Sequence, residues 1–209
     1  MPDFKQTASD AVELAPGADP LQVLNTWHAQ AVQRGEPTPD AMTLATATLD
    51  GRPSARIVLF KGVRRGAVFF VTNYQSRKAR ELDENPRAAL VMHFAAVEQQ
   101  VRLEGRVERA SADESEAYFR SRPRGSQLGA WASPQSRPIA SRAELDHLAQ
   151  EAEARFSDRD VTRPEHWGGY LVFPETVELW VGRPDRLHDR FLYSLASASD
   201  AWRIERLAP

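Results

Sequence analysis

Met42-Thr43-Leu44-Ala45-Thr46-Ala47-Thr48-Leu49, then Asp50-Gly51, then Arg56-Ile57-Val58-Leu59-Phe60-Lys61, is the stretch that decides the fold class. Apolar and β-branched residues flank Asp50-Gly51, a hairpin turn signal, so two antiparallel strands are expected. Outward from this hairpin the strand signal repeats. Ala67 to Thr72, Ala88 to Phe94 and Gln99 to Glu108 read as strands, as do Tyr170–Phe173, Thr176–Val181, Arg190–Leu195 and Ala201–Leu207. Helices are fewer. Asp19-Pro20 reads as an N-cap followed by proline at the first helical position, with Leu21, Leu24, Trp27 and Ala31 at helical spacing. Ser76 caps a short helix that Asn85-Pro86 stops, and Ser111-Ala112-Asp113-Glu114 and Ser141-Arg142-Ala143-Glu144 are capping boxes. Many short strands with interspersed helices and no βαβ alternation predict a mainly-β, antiparallel barrel decorated by helices.

The chain has 209 residues, which fits one domain at 19–209 behind a mobile arm at 1–18. Its net charge of −2 gives no field to attract nucleic acid. It has no cysteine, which excludes disulfides, thiolate metal sites and cysteine nucleophiles. The five histidines are scattered, so no metal site is expected. No apolar run approaches the roughly 18 residues that span a bilayer, and the first residues carry no signal-like apolar region. No membrane association and a cytoplasmic location are the expectations. Only Lys5, Lys61 and Lys78 among the 27 basic residues are lysine.

Four constellations carry possible chemistry. Alternation along Arg56–Lys61 puts Arg56, Val58 and Phe60 on one face and Ile57, Leu59 and Lys61 on the other, so a cation ends each apolar face. Thr72-Asn73-Tyr74-Gln75-Ser76-Arg77-Lys78 brings a strand end to a helix start carrying two cations, where free N–H groups suit a phosphate. Tyr118 and Arg122 are four apart on one helix face, with Ser126 in the next turn, a second phosphate-type set. In Arg186-Leu187-His188-Asp189-Arg190, period 2 puts Arg186, His188 and Arg190 on one side of a strand, six positions after Trp180, as for a site wall. Each set has a plain structural reading. Together they imply two phosphate sites, as for a flavin mononucleotide with a phosphorylated small molecule.

The chain resembles the pyridoxine/pyridoxamine 5′-phosphate oxidase family across roughly Asp19 to Pro209. The resemblance is carried by Arg56–Lys61, Thr72-Asn73 with Ser76-Arg77-Lys78, Asn85-Pro86-Arg87-Ala88-Ala89-Leu90, and Tyr118-Phe119 with Ser121-Arg122-Pro123-Arg124. It continues through Ser126-Gln127, Ala130–Ser136, Trp167-Gly168-Gly169, Glu178-Leu179-Trp180, Arg186–Arg190 and Arg206-Leu207-Ala208-Pro209. It implies an FMN-binding split barrel and a homodimer with FMN at the subunit interface. FMN would be held by the strand Arg56, Ile57, Val58, Leu59, Phe60 and Lys61, by Val71, Thr72, Arg77 and Lys78, and by Gln100, Gln135, Ser136, Trp180 and Arg190. Lys61, Tyr118, Arg122 and Ser126 would hold the substrate phosphate. Arg186 and His188 would contact the substrate ring and serve as the catalytic pair. The implied reaction oxidises pyridoxine or pyridoxamine 5′-phosphate to pyridoxal 5′-phosphate, with dioxygen as acceptor. Gln99, Val71 and Val181 depart from the pattern common in the family. Two alternatives stay open: a flavin oxidase of phenazine precursors on the same fold, and a non-catalytic FMN- or pyridoxal phosphate-binding protein.

Overall fold

The computed structural model describes residues 18–195 and 201–209. The arm expected at residues 1–18 lies, but for its last residue, outside the described residues. Helix α1 (Pro20–Gln33) begins where Asp19 accepts a hydrogen bond from the Leu21 N–H, and it buries Leu21, Leu24, Trp27 and Ala31. Strands β1 (Ala41–Ala47) and β2 (Pro53–Leu59) form the expected hairpin, with Ala45 opposite Ala55. The short β3 (Val63–Arg64) folds back on β4 (Ala67–Asn73). Helix α2 (Arg77–Glu84) starts where the Ser76 hydroxyl accepts from the Ala79 N–H. Strands β5 (Arg87–Phe94) and β6 (Gln99–Arg109) follow, then α3 (Ala112–Ser121) behind a complete Ser111–Glu114 capping box. Helices α4 (Arg124–Ala132) and α5 (Arg142–Arg155) precede the long β7 (Trp167–Val181), then β8 (Asp189–Leu195) and β9 (Trp202–Arg206).

Every strand pair is antiparallel, in the order β2-β1-β5-β6-β7-β4-β3, with β8 and β9 extending from the second half of β7. The two ends of this order meet. Just past β2, the Lys61 N–H donates to Phe69 O and the Phe69 N–H to Gly62 O, both at 2.9 Å, which brings the end of β2 against β4. Leu44, Val58, Phe70, Leu90, Leu103, Val172 and Leu179 point into the barrel, and Trp27 of α1 joins the same core. A second apolar cluster, Phe119, Leu128, Phe156 and Trp167, holds α3–α5 against the outside of β7.

The structure corrects two sequence expectations. Tyr170–Phe173 and Thr176–Val181 belong to one strand, although Pro174 lies between them. Pro174 sits at a register shift opposite Gly105, past the last residue paired with β4 and before the first paired with β8, so neither of those strands loses a ladder bond to its missing N–H. Gly105 is required there, because a Cβ would overlap the Phe173 carbonyl. Arg122 is the C-cap of α3, its ψ of 147° extended as sterics dictate for a residue before proline, and as expected it stays on the side of Tyr118, both lying against the Trp167 ring. Arg186 and His188 are not on a strand with Arg190. Pro184–Arg186 is a tight turn in which Asp185 and Arg186 are left-handed (φ 58° and 62°), and β8 starts only at Asp189.

Candidate active site

Strands β2 and β4, helix α2 and the α3–α4 corner enclose a cleft of about 650 Å³. Arg56, Lys61 and Lys78 line it from one side, and Tyr118, Arg122 and Ser126 from the other. Ile57, Val58, Leu59, Val71, Thr72 and Gln135 complete the expected residues in its wall. Asn73, from the Thr72–Lys78 constellation, lines it as well, with Trp167 and Ser133, which no constellation includes. The described wall holds four cations and no Asp or Glu.

Helix α2 places Lys78 beneath the cleft, nearly buried. Its ammonium donates to Thr72 Oγ1 (3.1 Å), Ser76 Oγ (3.3 Å) and Gln135 Oε1 (3.0 Å). Burial, reinforced by the Arg56 charge and opposed by Glu81, lowers its pKa to about 8. Arg56 reaches inward from β2. Its Nη1 donates to Leu44 O (3.1 Å) and Thr46 Oγ1 (2.6 Å), and its Nη2 to Ser54 Oγ and Glu81 Oε2. Of its five N–H donors, the Nε–H is the one with no partner among the described residues.

Across the cleft, Arg122 lies with its guanidinium carbon 4.6 Å from the Trp167 ring centroid. Tyr118 stacks on the same indole at 6.4 Å and 9°. Arg122 Nη1 is buried and has no hydrogen-bond partner among the described residues. Burial pulls its pKa below the ordinary arginine value, with Tyr118 opposing. Lys61 is paired with Asp40 Oδ2 at 2.9 Å, and Asp40 Oδ1 takes His28 Nε2 at 2.9 Å. Burial would raise the Asp40 pKa, but the bonds from Lys61 and His28 outweigh it and bring it down.

The remaining expected residues lie elsewhere. Phe60 is in the core beside the His28 ring. Arg77 does not line the cleft; it is 60% exposed in its side chain and pairs with Glu81 at 2.8 Å. Ser136 is left-handed (φ 69°) and next to Gln135 but outside the wall. Gln100, Trp180 and Arg190 form a second group, in register across β6, β7 and β8. The His188 ring lies 4.6 Å from Trp180, and its Nδ1 accepts from the Arg183 N–H at 3.1 Å. Arg190 is held by Glu178 at 2.7 Å and Ala208 O at 3.0 Å. Trp180 and the cleft residue Trp167 stand at opposite regions of β7, thirteen residues and roughly 40 Å of strand apart. None of this second group lines the cleft of its own chain.

A closed antiparallel barrel with helices packed outside and a basic cleft at its seam defines the class: a split barrel. A solved FMN-binding protein from Nostoc punctiforme, described as pyridoxamine 5′-phosphate oxidase-related, shares this fold with a TM-score of 0.73 over 93% of this chain and 100% of its own, at 19% identity. PhzG from Burkholderia lata, solved with tetrahydrophenazine-1-carboxylic acid, matches with a TM-score of 0.87 and 31% identity over 93% and 94% of the two chains. The family model for pyridoxamine 5′-phosphate oxidase matches residues 29–156, and that for the pyridoxine 5′-phosphate oxidase C-terminal dimerisation region matches 167–209. The pyridoxine/pyridoxamine 5′-phosphate oxidase of Burkholderia thailandensis is 51% identical over 99% of this chain and 96% of its own, and that of Salinibacter ruber 52% over 91% and 89%. The chain belongs to the pyridoxine/pyridoxamine 5′-phosphate oxidase family.

Proposed function

We propose that this protein oxidises pyridoxine 5′-phosphate and pyridoxamine 5′-phosphate to pyridoxal 5′-phosphate, with FMN as cofactor and dioxygen as acceptor. One observation supports it above the others: among the described residues the cleft wall carries four cations and no carboxylate. Such a wall suits two phosphate-bearing ligands. The orphaned, buried Nη1 of Arg122 is a donor waiting for one of them, so the residues present fit the cofactor and substrate pair.

In this reading Lys78, Thr72, Gln135 and Arg56 hold the FMN phosphate. Arg122, Tyr118, Ser126 and Lys61 hold the substrate phosphate, Lys61 exchanging Asp40 for it. Clamping the phosphate fixes the substrate's 4′ carbon, the entropic part of catalysis. FMN, when bound, would supply the redox chemistry, as hydride acceptor for that carbon and two-electron donor to dioxygen, with hydrogen peroxide as by-product; for the amine substrate, water would then hydrolyse the oxidised product to the aldehyde and ammonia. His188 acts as a donor. Its Nδ1 accepts a backbone N–H, so the neutral ring carries its proton on Nε2 and offers that hydrogen to a substrate oxygen. Arg186 adds positive charge beside it.

The second residue group belongs, in this proposal, to the partner's cleft in a homodimer. The dimerisation-region match spans Trp180, Arg186, His188 and Arg190. The outer face of the β2-β1-β5 surface is apolar and small, with Ala55, Ala45 and Ala89 in a row and Ile57 61% and Leu59 50% exposed beside them. A second copy is the proposed cover. We place the enzyme in the cytoplasm; no described helix is long and apolar enough to cross a membrane.

The likeness to PhzG favours a second reading, a flavin oxidase acting on a phenazine-type carboxylate. A hydrogen peroxide assay separates them. The expected result is peroxide with pyridoxine 5′-phosphate and none with tetrahydrophenazine-1-carboxylic acid; the reverse pattern overturns the proposal. In the same assay Tyr118→Phe is expected to raise KM about fivefold, the loss of one hydrogen bond. An unchanged KM would remove Tyr118 from the phosphate clamp.

A further inference from the structure

Glu81 is a buried carboxylate that the proposed chemistry does not use. It sits on α2, one turn after Arg77, 4% exposed, and outside the cleft wall. Its Oε1 accepts from Arg77 Nε at 2.8 Å. Its Oε2 accepts from Thr46 Oγ1 (2.5 Å), Ser54 Oγ (2.6 Å) and Arg56 Nη2 (3.3 Å). Thus β1, β2 and α2 all converge on one carboxylate. Burial would raise its pKa, but the hydrogen bonds from Ser54, Thr46 and Arg77, with the Arg77 charge, bring it to about 2. The group is charged throughout the working range.

A buried ion pair is poor at stabilising a fold, because desolvation offsets much of the attraction. Its clearer effect is to fix where charged groups sit. Arg56, Arg77 and Lys78 are three cations on neighbouring positions. Arg56 and Lys78 repel, and Arg56 and Arg77 repel, as the directions of their pKa effects show. Glu81 is the one carboxylate among them, and it leaves two net positive charges, which matches a phosphate monoester.

We infer that Glu81 is a positioning residue for the cofactor phosphate, acting through Arg56. This rests on the proposed FMN phosphate site. Glu81 orients the Arg56 guanidinium so that Nε, the donor without a partner among the described residues, stays available to the cleft. It also ties the Nε of the exposed Arg77 to α2. Without its charge the three cations move apart, and the ammonium of Lys78 is no longer favoured by a nearby carboxylate.

The test is the binding of FMN and of riboflavin, which lacks the phosphate, to the full chain freed of flavin, followed by flavin fluorescence. The wild type is expected to favour FMN. Glu81→Gln, nearly isosteric, is expected to weaken FMN by about tenfold, the scale of one charge-assisted hydrogen bond, and to leave riboflavin within about twofold. Equal weakening of both flavins would make Glu81 merely structural and overturn the inference. Unchanged or tighter FMN binding would overturn it too, the tighter case marking Glu81 as a competitor of the phosphate. Should Glu81→Gln not fold, Ser54→Ala removes one donor from Oε2 at a half-buried strand position; about a threefold loss confined to FMN is expected, and a loss shared with riboflavin overturns the inference. A wild type that binds FMN and riboflavin equally would overturn the cofactor-phosphate reading itself, and the inference with it.

Discussion

Arg122→Ala is expected to lower kcat/KM for pyridoxine 5′-phosphate by about a hundredfold or more, mostly through KM, the cost of removing a buried charge-assisted pair with a phosphate. The guanidinium is held in place before any ligand arrives, by Trp167 beneath it and by the extended backbone ahead of Pro123. Its Nη1 has no partner among the described residues, so a bound phosphate gains a donor that water solvates poorly. Arg122→Lys should recover little, because an ammonium can neither stack flat on the indole nor donate in a fork. FMN binding should be unchanged in both variants. Steady-state kinetics with a flavin titration checks this, and an unaltered KM in Arg122→Ala would remove the residue from the substrate site.

Lys78→Met is expected to weaken FMN by about a hundredfold, the scale of taking one buried ammonium away from a phosphate. The same change should make the flavin-free protein more stable, because a cation that burial disfavours is gone. The pH dependence follows from the pKa of about 8. That value is below the ordinary lysine pKa, so between about pH 8 and 10.5 the unfolded chain binds more protons than the folded one, and this residue's contribution to stability rises with pH across that window. A bound phosphate favours the ammonium and works in the opposite direction. FMN affinity is therefore highest below pH 8 and falls as pH rises through it. It also weakens below about pH 6, where the phosphate takes up its second proton. Titrations from pH 5 to pH 9.5 check this; a flat upper limb in the wild type would contradict the role given to Lys78, and Lys78→Met should be flat there.

The parts of the fold legible in the sequence were those with local chemistry. Asp50-Gly51, the Ser76 cap and the Ser111–Glu114 box each specify their element through a few neighbouring atoms, and each element is present. Helix α4 is not legible because Gly125, Ser126 and Gly129 have little helix propensity; it is held instead by Leu128 and Ala132 packing into the α3–α5 cluster. The unity of β7 is hidden by Pro174, whose tolerance depends on which neighbouring strands end beside it. Alternation misleads at Arg186 and His188, where Pro184 is the available signal for a turn.

The candidate site shows the same division. Lys61, Lys78, Tyr118 and Arg122 are legible as cations and a phenol near element ends, and one cleft gathers them. Asp40 and Trp167 are not, because nothing local shows that they meet Lys61 and Arg122. Glu81 has a signal, its spacing of four from Arg77. Its hydrogen bonds with Thr46 and Ser54 exist only once the β1–β2 hairpin is laid against α2.

The central claim is flavin-dependent oxidation of a phosphorylated B6 vitamer, and an anaerobic flavin spectrum tests it most directly. The protein is loaded with FMN and mixed with pyridoxine 5′-phosphate in the absence of oxygen, and the long-wavelength flavin band is followed. The account predicts that the band bleaches and returns when air is admitted. A yellow complex that binds the substrate and never bleaches would contradict it.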